Sequence, residues 1–255
     1  MAWTDLHAHL DKLPEGVDQA VAMALAADVN RIVTIGTEPA DHRVVLEIAK
    51  KRYPQVFCTL GVHPHEAKVL TDEVLNWIET HATEKEVIAV GEIGLDYYYT
   101  HSEKNIQIEA FEKQLSLAKK LKMPVEIHTR DAEADTVEIL KKFKGDVKGI
   151  IHCFTGSEWL AFQCLDLGFN ISISGVVTFK NADSLRQSVK KLPLDRIHVE
   201  TDAPFLAPIP QRGKSNTPAF VVHTAQAVAD LQGIPLIDLQ RVTNSNAEKL
   251  FSKLI

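Results

Sequence analysis

The chain has 255 residues, 45% hydrophobic and 24% charged, the balance of a folded domain with a sizeable core. A net charge of −6 excludes a broadly basic surface gripping a polyanion, though not a nucleic acid held locally by metal ions and a few cations. Cys58, Cys153 and Cys164 are scattered without CxxC spacing, which argues against a disulfide framework or zinc knuckle and for a reducing, cytoplasmic setting. The chain opens without a basic-then-apolar leader, and no run reaches the length of a membrane span, so neither export nor membrane insertion is expected.

Along the chain, short apolar runs alternate with segments of helical period, and no Gly/Ser/Pro-rich linker divides them. Strands are predicted at 3–9, 31–36, 57–63, 87–95, 125–129, 149–154, 170–174 and 197–201. Helices are predicted at 18–28, 41–51, 103–121, 134–143 and 159–167, with one or two more in the tail 236–254. In the helix at 103–121, Ile108, Phe111, Leu115, Ala118 and Leu121 form one apolar stripe, and the intervening Glu, Gln and Lys positions read as solvated. Eight βα units in one domain most simply close into a (β/α)8 TIM barrel with an extra C-terminal helix. An open doubly wound sheet is the alternative, but no Gly-rich phosphate turn follows Leu6. The seventh unit is the least regular, being helix-poor until Asp183.

Ligand-type residues fall where these runs end. Asp5-Leu6-His7-Ala8-His9 places two imidazoles two positions apart, on one side of a strand. His63 ends the third run in Gly61-Val62-His63-Pro64-His65, Glu92 the fourth, His128 the fifth and His152 the sixth, while Glu200 and Asp202 end the eighth, again two apart. All would converge on the C-terminal mouth of a barrel. A mixture of imidazoles and carboxylates suits Zn, Mn, Fe or Mg better than a soft thiolate site does, and there are enough groups for two ions bridged by Glu92 that activate a water. Any one of these histidines alone reads as a hydrogen-bonded structural residue, and only the joint pattern points to metal. His42 and His81 in helical segments, His101 in a loop, His198 at the start of the eighth run and His223 in the final helix read as packing or surface residues.

Taken in order, Asp5-x-His7-x-His9, Gly61-Val62-His63-Pro64, Gly91-Glu92-Ile93-Gly94-Leu95-Asp96, Ile127-His128-x-Arg130, His152-Cys153-Phe154-Thr155-Gly156 and Glu200-Thr201-Asp202-Ala203-Pro204 resemble the TatD family of metal-dependent deoxyribonucleases, within the amidohydrolase-like group. Arg212-Gly213-Lys214-x-Asn216-x-Pro218 and Asn246-Ala247-x-x-Leu250-Phe251 extend the resemblance over nearly the whole chain. It implies hydrolysis of DNA phosphodiester bonds at a site of two divalent ions, Mg, Mn or Zn. His7, His9, Glu92 and Asp202 match the ligands of one ion, and Glu92, His128 and His152 those of the other. His63, Glu200 and Asp202 match positions near the attacking water, with Glu200 or Asp202 as general base. Glu92 stands where many amidohydrolase relatives carry a carboxylated lysine. Two departures touch the substrate side: Gln211 and Tyr98 occupy positions where the family often has histidine. His65 and Tyr98 are expected to border the substrate, and Arg130, Arg212 and Lys214 to contact phosphate. The acidic balance makes short, single-stranded or frayed DNA ends the expected substrate, with no obligate protein partner. A hydrolase of small amides, lactones or phosphoesters, and a non-catalytic interaction protein, are the alternatives on the same barrel.

Overall fold

The computed structural model describes residues 2–254. Its strands are β1 (Trp3–Ala8), β2 (Val29–Ile35), β3 (Val56–Leu60), β4 (Val87–Asp96), β5 (Val125–Arg130), β6 (Gly149–Ile151), β7 (Asn170–Ile173) and β8 (Ile197–Val199), paired in parallel and in chain order. The helices α1 (Val17–Ala26), α2 (Pro39–Arg52), α3 (Asp72–His81), α4 (Lys104–Leu121), α5 (Glu133–Lys141), α6 (Glu158–Asp166), α7 (Asp183–Val189) and α8 (Val221–Gln232) follow the strands in turn, and α9 (Leu236–Leu250) is added at the end. The ring joins where Ala8 bridges Ala203, His9 N donates to Ala203 O at 2.7 Å and Asp202 N donates to His7 O at 2.9 Å. This is the expected (β/α)8 TIM barrel, in a single domain. Among the described residues no helix is long and apolar enough to cross a membrane.

Helices enclose the strands, so both faces of each strand are covered and apolar runs such as Val33-Thr34-Ile35 are wholly buried. Side chains fix where the helices begin. At α2, Glu38 and Asp41 form a reciprocal capping box with Pro39 in the first turn, and the Asp41 carboxylate also takes the Thr37 N–H at 3.0 Å. At α6, Ser157 Oγ accepts from Leu160 N at 3.2 Å, and Ser157 N donates to Glu133 Oε1 at 2.7 Å.

Several strands stop earlier than predicted. β3 ends at Leu60, β6 at Ile151 and β8 at Val199, so His63, His152, Glu200 and Asp202 stand on the loops just beyond them. Strict alternation therefore does not relate Glu200 to Asp202. Asp202 has a φ of +58°, in the left-handed region that Asp tolerates, and Cys153, directly after His152, has a φ of +42°. Such turns at strand ends re-aim the side chains beside them.

The stripe of α4 is present, but two of the positions expected to be solvated are fully buried glutamines, one on each of two turns. Gln107 donates to Asp96 O at 2.9 Å and accepts from Asp96 N at 2.8 Å; Gln114 makes the same pair of bonds to Val62, at 3.0 and 2.7 Å. A primary amide offers both a donor and an acceptor, so it can hold the backbone N–H and C=O of a single residue. The helix thereby holds the loops after β3 and β4.

The extra C-terminal helix closes the opposite mouth. Ala247, Leu250, Phe251 and Leu254 cluster with Leu6, Val33, Phe57, Ile88 and Ile150, which come from five of the eight strands. Polar anchors go to strand beginnings: Asn246 Nδ2 donates to Ile197 O at 2.9 Å, and Lys253 Nζ to Ala82 O, Glu84 O and Val87 O at 2.7, 2.7 and 2.8 Å. His223 lies in α8, one helix before the last, because the tail after β8 contains two long helices.

Candidate metal centre

At the open mouth the ligand-type side chains gather around Glu92, which is buried on β4. Its Oε1 lies 2.9 Å from His152 Nε2, 3.1 Å from His128 Nδ1 and 3.4 Å from His63 Nε2. Its Oε2 lies 3.6 Å from His7 Nε2. Each oxygen thus faces a different group of imidazoles. Close passage of the backbone makes this possible: a Cβ on Gly91 would come 2.7 Å from Glu126 Cβ, and one on Gly94, where φ is +140°, 1.9 Å from His128 O.

On the Oε2 side, His7 Nε2, His9 Nε2 and Asp202 Oδ1 form a near-equilateral triangle with edges of 3.4, 3.5 and 3.6 Å. Nitrogen and oxygen ligands about 2.1 Å from an ion in a tetrahedral array stand about 3.4 Å apart, so these three atoms fit a divalent cation. His63, Glu92 and His128 form a second group whose ligand atoms lie within 4.8 Å of one another. A third such group, His7, Glu126, His152 and Glu200, has a different character. There the 2.5 Å between His7 Nδ1 and Glu126 Oε1 is a hydrogen bond, shorter than a ligand edge, and His152 Nδ1 meets Glu200 Oε1 at 3.1 Å. These acids stand behind the imidazoles whose Nε2 atoms face Glu92, and they set ring orientation as carboxylates behind metal-bound histidines do.

Glu126 and Asp96 belong to this support and escaped the sequence reading. Glu126 is two residues before His128 on β5, and Asp96 closes the motif that begins at Gly91; both spacings were available as signals. Asp96 Oδ2 lies 3.0 Å from His128 Nε2 and 3.0 Å from His65 Nε2. Asp5, two before His7, accepts from Thr201 N at 2.8 Å and Thr201 Oγ1 at 2.6 Å, tying the first strand to the loop that carries Asp202. Asn216, in the Arg212 loop, donates to Thr201 O at 2.8 Å and Phe205 O at 2.6 Å, holding the same loop from the other side.

Electrostatics follow from burial and neighbours. Burial, with His152 beside it, drives His7 well below the usual imidazole range, and burial lowers His63 to about 4. Burial alone would lower His152 too, but Glu92 and Glu200 reverse the effect and raise it well above the usual value. His128 is raised against burial by its hydrogen bonds to Asp96 and Glu92. Burial would raise Glu92, yet His152 and His63 hold it well below the carboxylate range; Asp96 is likewise depressed, by His128, His65 and the Tyr99 N–H. Glu126, buried among other acids, is raised well above it. Imidazoles and carboxylates thus stand in contact throughout the cluster, which is how a buried set of this composition avoids isolated charge.

A cavity of about 720 Å³ opens above the centre, lined among others by His9, His63, His65, Glu92, Tyr99, Arg130, His152, Asp202 and Phe205. Asp202 faces it, whereas Glu200 is fully buried, bonded to His152 Nδ1, to Cys153 N at 2.6 Å and to Ser172 Oγ. Arg130 lines the cavity with its guanidinium 3.9 Å above the Tyr98 ring and 4.9 Å from that of Tyr99. Tyr98 itself is outside the lining, and Tyr99 supplies the rim. Arg212 and Lys214 are not brought to the cavity: Arg212 stacks 4.0 Å over Phe179, and Lys214 donates to Gln211 Oε1 at 2.8 Å on the exposed surface. Of the histidines set aside, His42 is buried and donates to Gly61 O at 2.7 Å, and the His101 ring lies 4.7 Å from that of His65, beside the rim.

Fold and centre together define a metal-dependent hydrolase built on a (β/α)8 barrel. The family model described as TatD related DNase matches residues 4–252, and the chain belongs to the TatD family. It is 40% identical over 250 residues to YabD of Bacillus subtilis strain 168, covering 97% of this chain and 98% of that protein. It is 42% identical over 257 residues to YcfH of Escherichia coli strain K12, covering 98% and 96%. Both relatives are called uncharacterized metal-dependent hydrolases. The crystal structure of YJJV, a TatD homolog from Escherichia coli, superposes with a TM-score of 0.91 at 28% identity, covering 98% of each chain.

Proposed function

We propose that the centre holds two divalent ions bridged by Glu92 and that the protein is a deoxyribonuclease. The division of the Glu92 carboxylate carries the two-ion reading: Oε1 turns to His63, His128 and His152, and Oε2 to His7, the corner of the triangle completed by His9 and Asp202. Divalent ions held there supply Lewis acidity, polarising a water and offsetting charge on the displaced phosphodiester oxygen. The residues of the chain do the rest. Glu126 Oε1 accepts the His7 Nδ1 proton and Glu200 Oε1 that of His152, which leaves both Nε2 atoms free as donors of lone pairs. Asp202, on the cavity wall with a side chain 14% exposed, is placed to take a proton from the attacking water; His63 lines the same cavity, and Glu200 acts through His152.

Support for DNA comes from the rim and from the family's description as DNase-related. Arg130 offers a guanidinium to phosphate, while Tyr99 and the half-exposed Phe205 present aromatic faces on which bases of a single strand can stack. Lys12 is the other lysine or arginine that lines the cavity, so charged contacts are few and binding is local, which favours frayed or single-stranded ends. A reducing, cytoplasmic setting accords with three unpaired cysteines, two of them buried. The test is incubation of protein supplied with Mg, Mn or Zn with single- and double-stranded oligonucleotides, beside a panel of small amides, lactones and phosphodiesters. Metal-dependent cleavage of DNA that a chelator abolishes is expected, with Arg130→Ala raising KM. Turnover of a small amide with intact DNA would refute the nuclease reading.

A further inference from the structure

Asp96 touches both the candidate ligands and the rim of the cavity. It ends β4, is buried, and has its own backbone N–H and C=O fixed by Gln107. Oδ1 accepts the backbone N–H groups of Tyr98 at 3.0 Å and Tyr99 at 2.9 Å. Oδ2 faces His65 Nε2 and His128 Nε2, each at 3.0 Å. An ionised carboxylate has acceptor sites only, about four of them, and all four are engaged.

From this geometry we infer that Asp96 is a positioning residue with two linked tasks: it selects the metal-binding tautomer of His128 and anchors the Tyr98–Tyr99 turn that carries the substrate rim. Since Asp96 cannot donate, His128 must present its Nε2 proton to it. The Nδ1 lone pair is then left on the side of Glu92 Oε1, 3.1 Å away. His65 is held in the same way at the cavity wall. The turn in turn fixes Arg130, whose guanidinium rests on the Tyr98 and Tyr99 rings. One carboxylate thus sets both the affinity of the centre for its ion and the shape of the rim above it.

The first task rests on the proposed metal site, and the second does not. In Asp96→Asn the single amide oxygen cannot serve both sides. Held by two backbone N–H groups, it turns its NH₂ toward the imidazoles and opposes the required tautomer. Zinc competition against a chromophoric chelator is expected to show affinity reduced about 10–100-fold, the loss typical of an outer partner of a ligand. The metal-free melting temperature is expected to stay close to wild type, and saturating zinc to restore kcat. In Asp96→Ala, amide hydrogen exchange at Tyr98 and Tyr99 should accelerate at least tenfold, and KM for an oligonucleotide should rise even when metal saturates. Unchanged zinc affinity in Asp96→Asn, or unchanged exchange at the two tyrosines in Asp96→Ala, overturns the inference. A wild-type protein that binds no zinc refutes the metal reading alone, and the exchange experiment still decides the anchoring role.

Discussion

Replacing Glu92 by Gln keeps the shape of the side chain and removes what the centre needs from it. A glutamine has one acceptor oxygen and one NH₂ that only donates. Whichever way the amide turns, the NH₂ meets either the His63, His128 and His152 nitrogens, at 2.9–3.4 Å, or His7 Nε2 at 3.6 Å. One side then loses a ligand outright, and the other keeps a neutral oxygen in place of a charged one. Loss of an outer partner already costs about 10–100-fold in metal affinity, so loss of the shared ligand should cost at least about 100-fold, or about 2.7 kcal/mol. The measurement is metal content after dialysis, followed by competition titration, with far-UV circular dichroism and a thermal melt on the same sample. We expect Glu92→Gln to lose bound metal and hydrolysis together while the barrel stays folded, since the Leu6–Phe57–Ile88–Ile150 packing lies at the other end. Wild-type stoichiometry and affinity in a folded Glu92→Gln protein would refute Glu92 as the bridge.

Two further outcomes concern stability. His198 is fully buried, with Nε2 accepting from Asn170 Nδ2 at 2.8 Å, and burial, aided by Arg196, lowers its pKa from 6.5 to about 3. A histidine depressed in the folded state contributes stability that is complete above pH 6.5 and lost as pH falls toward 3, at up to about 1.4 kcal/mol per pH unit; urea melts at pH 7 and pH 5 should show a smaller loss for His198→Gln, and parallel losses would dismiss the argument. Lys253→Met removes an ammonium from three carbonyls and should cost about 2–3 kcal/mol, lowering Tm by roughly 4–12 °C in calorimetry without altering metal affinity; an unchanged Tm would show the clasp to be idle.

The ligand histidines and Glu92 could be read from the chain because each sits at or just past the end of an apolar run, and a barrel sends all such ends to one mouth. Their supports were harder to see. Gln107 and Gln114 look like solvent-facing positions by residue type, and only tertiary partners, the backbone N–H and C=O of Asp96 and of Val62, give reason to bury them; Glu126 is also charged by type, and its spacing from His128 is the one local sign of its place. Alternation placed Glu200 beside Asp202, but the left-handed turn at Asp202 sends one to the cavity and leaves the other behind His152. Arg130 and Arg212 are equally cationic in the sequence. Which of them reaches the cavity depends on the stacking surface each finds, Tyr98 and Tyr99 for one and Phe179 for the other, and no local pattern encodes that.

The seam of the barrel runs through the centre itself. Asp5 and His7 come from the first strand and His9 from just past it, Thr201 and Asp202 from beyond the last, and the bond from Thr201 N to Asp5 spans 196 residues of sequence. Bringing such distant segments together carries a closure entropy of roughly 5 kcal/mol, and contacts of this separation are what slow the folding of a chain. The triangle of His7, His9 and Asp202 therefore cannot exist before the two ends have met. A cation lodged in it would act as a reversible rivet across that joint, adding stability in proportion to the logarithm of its free concentration. Metal supply would then set how long the closed ring survives as well as how fast it works.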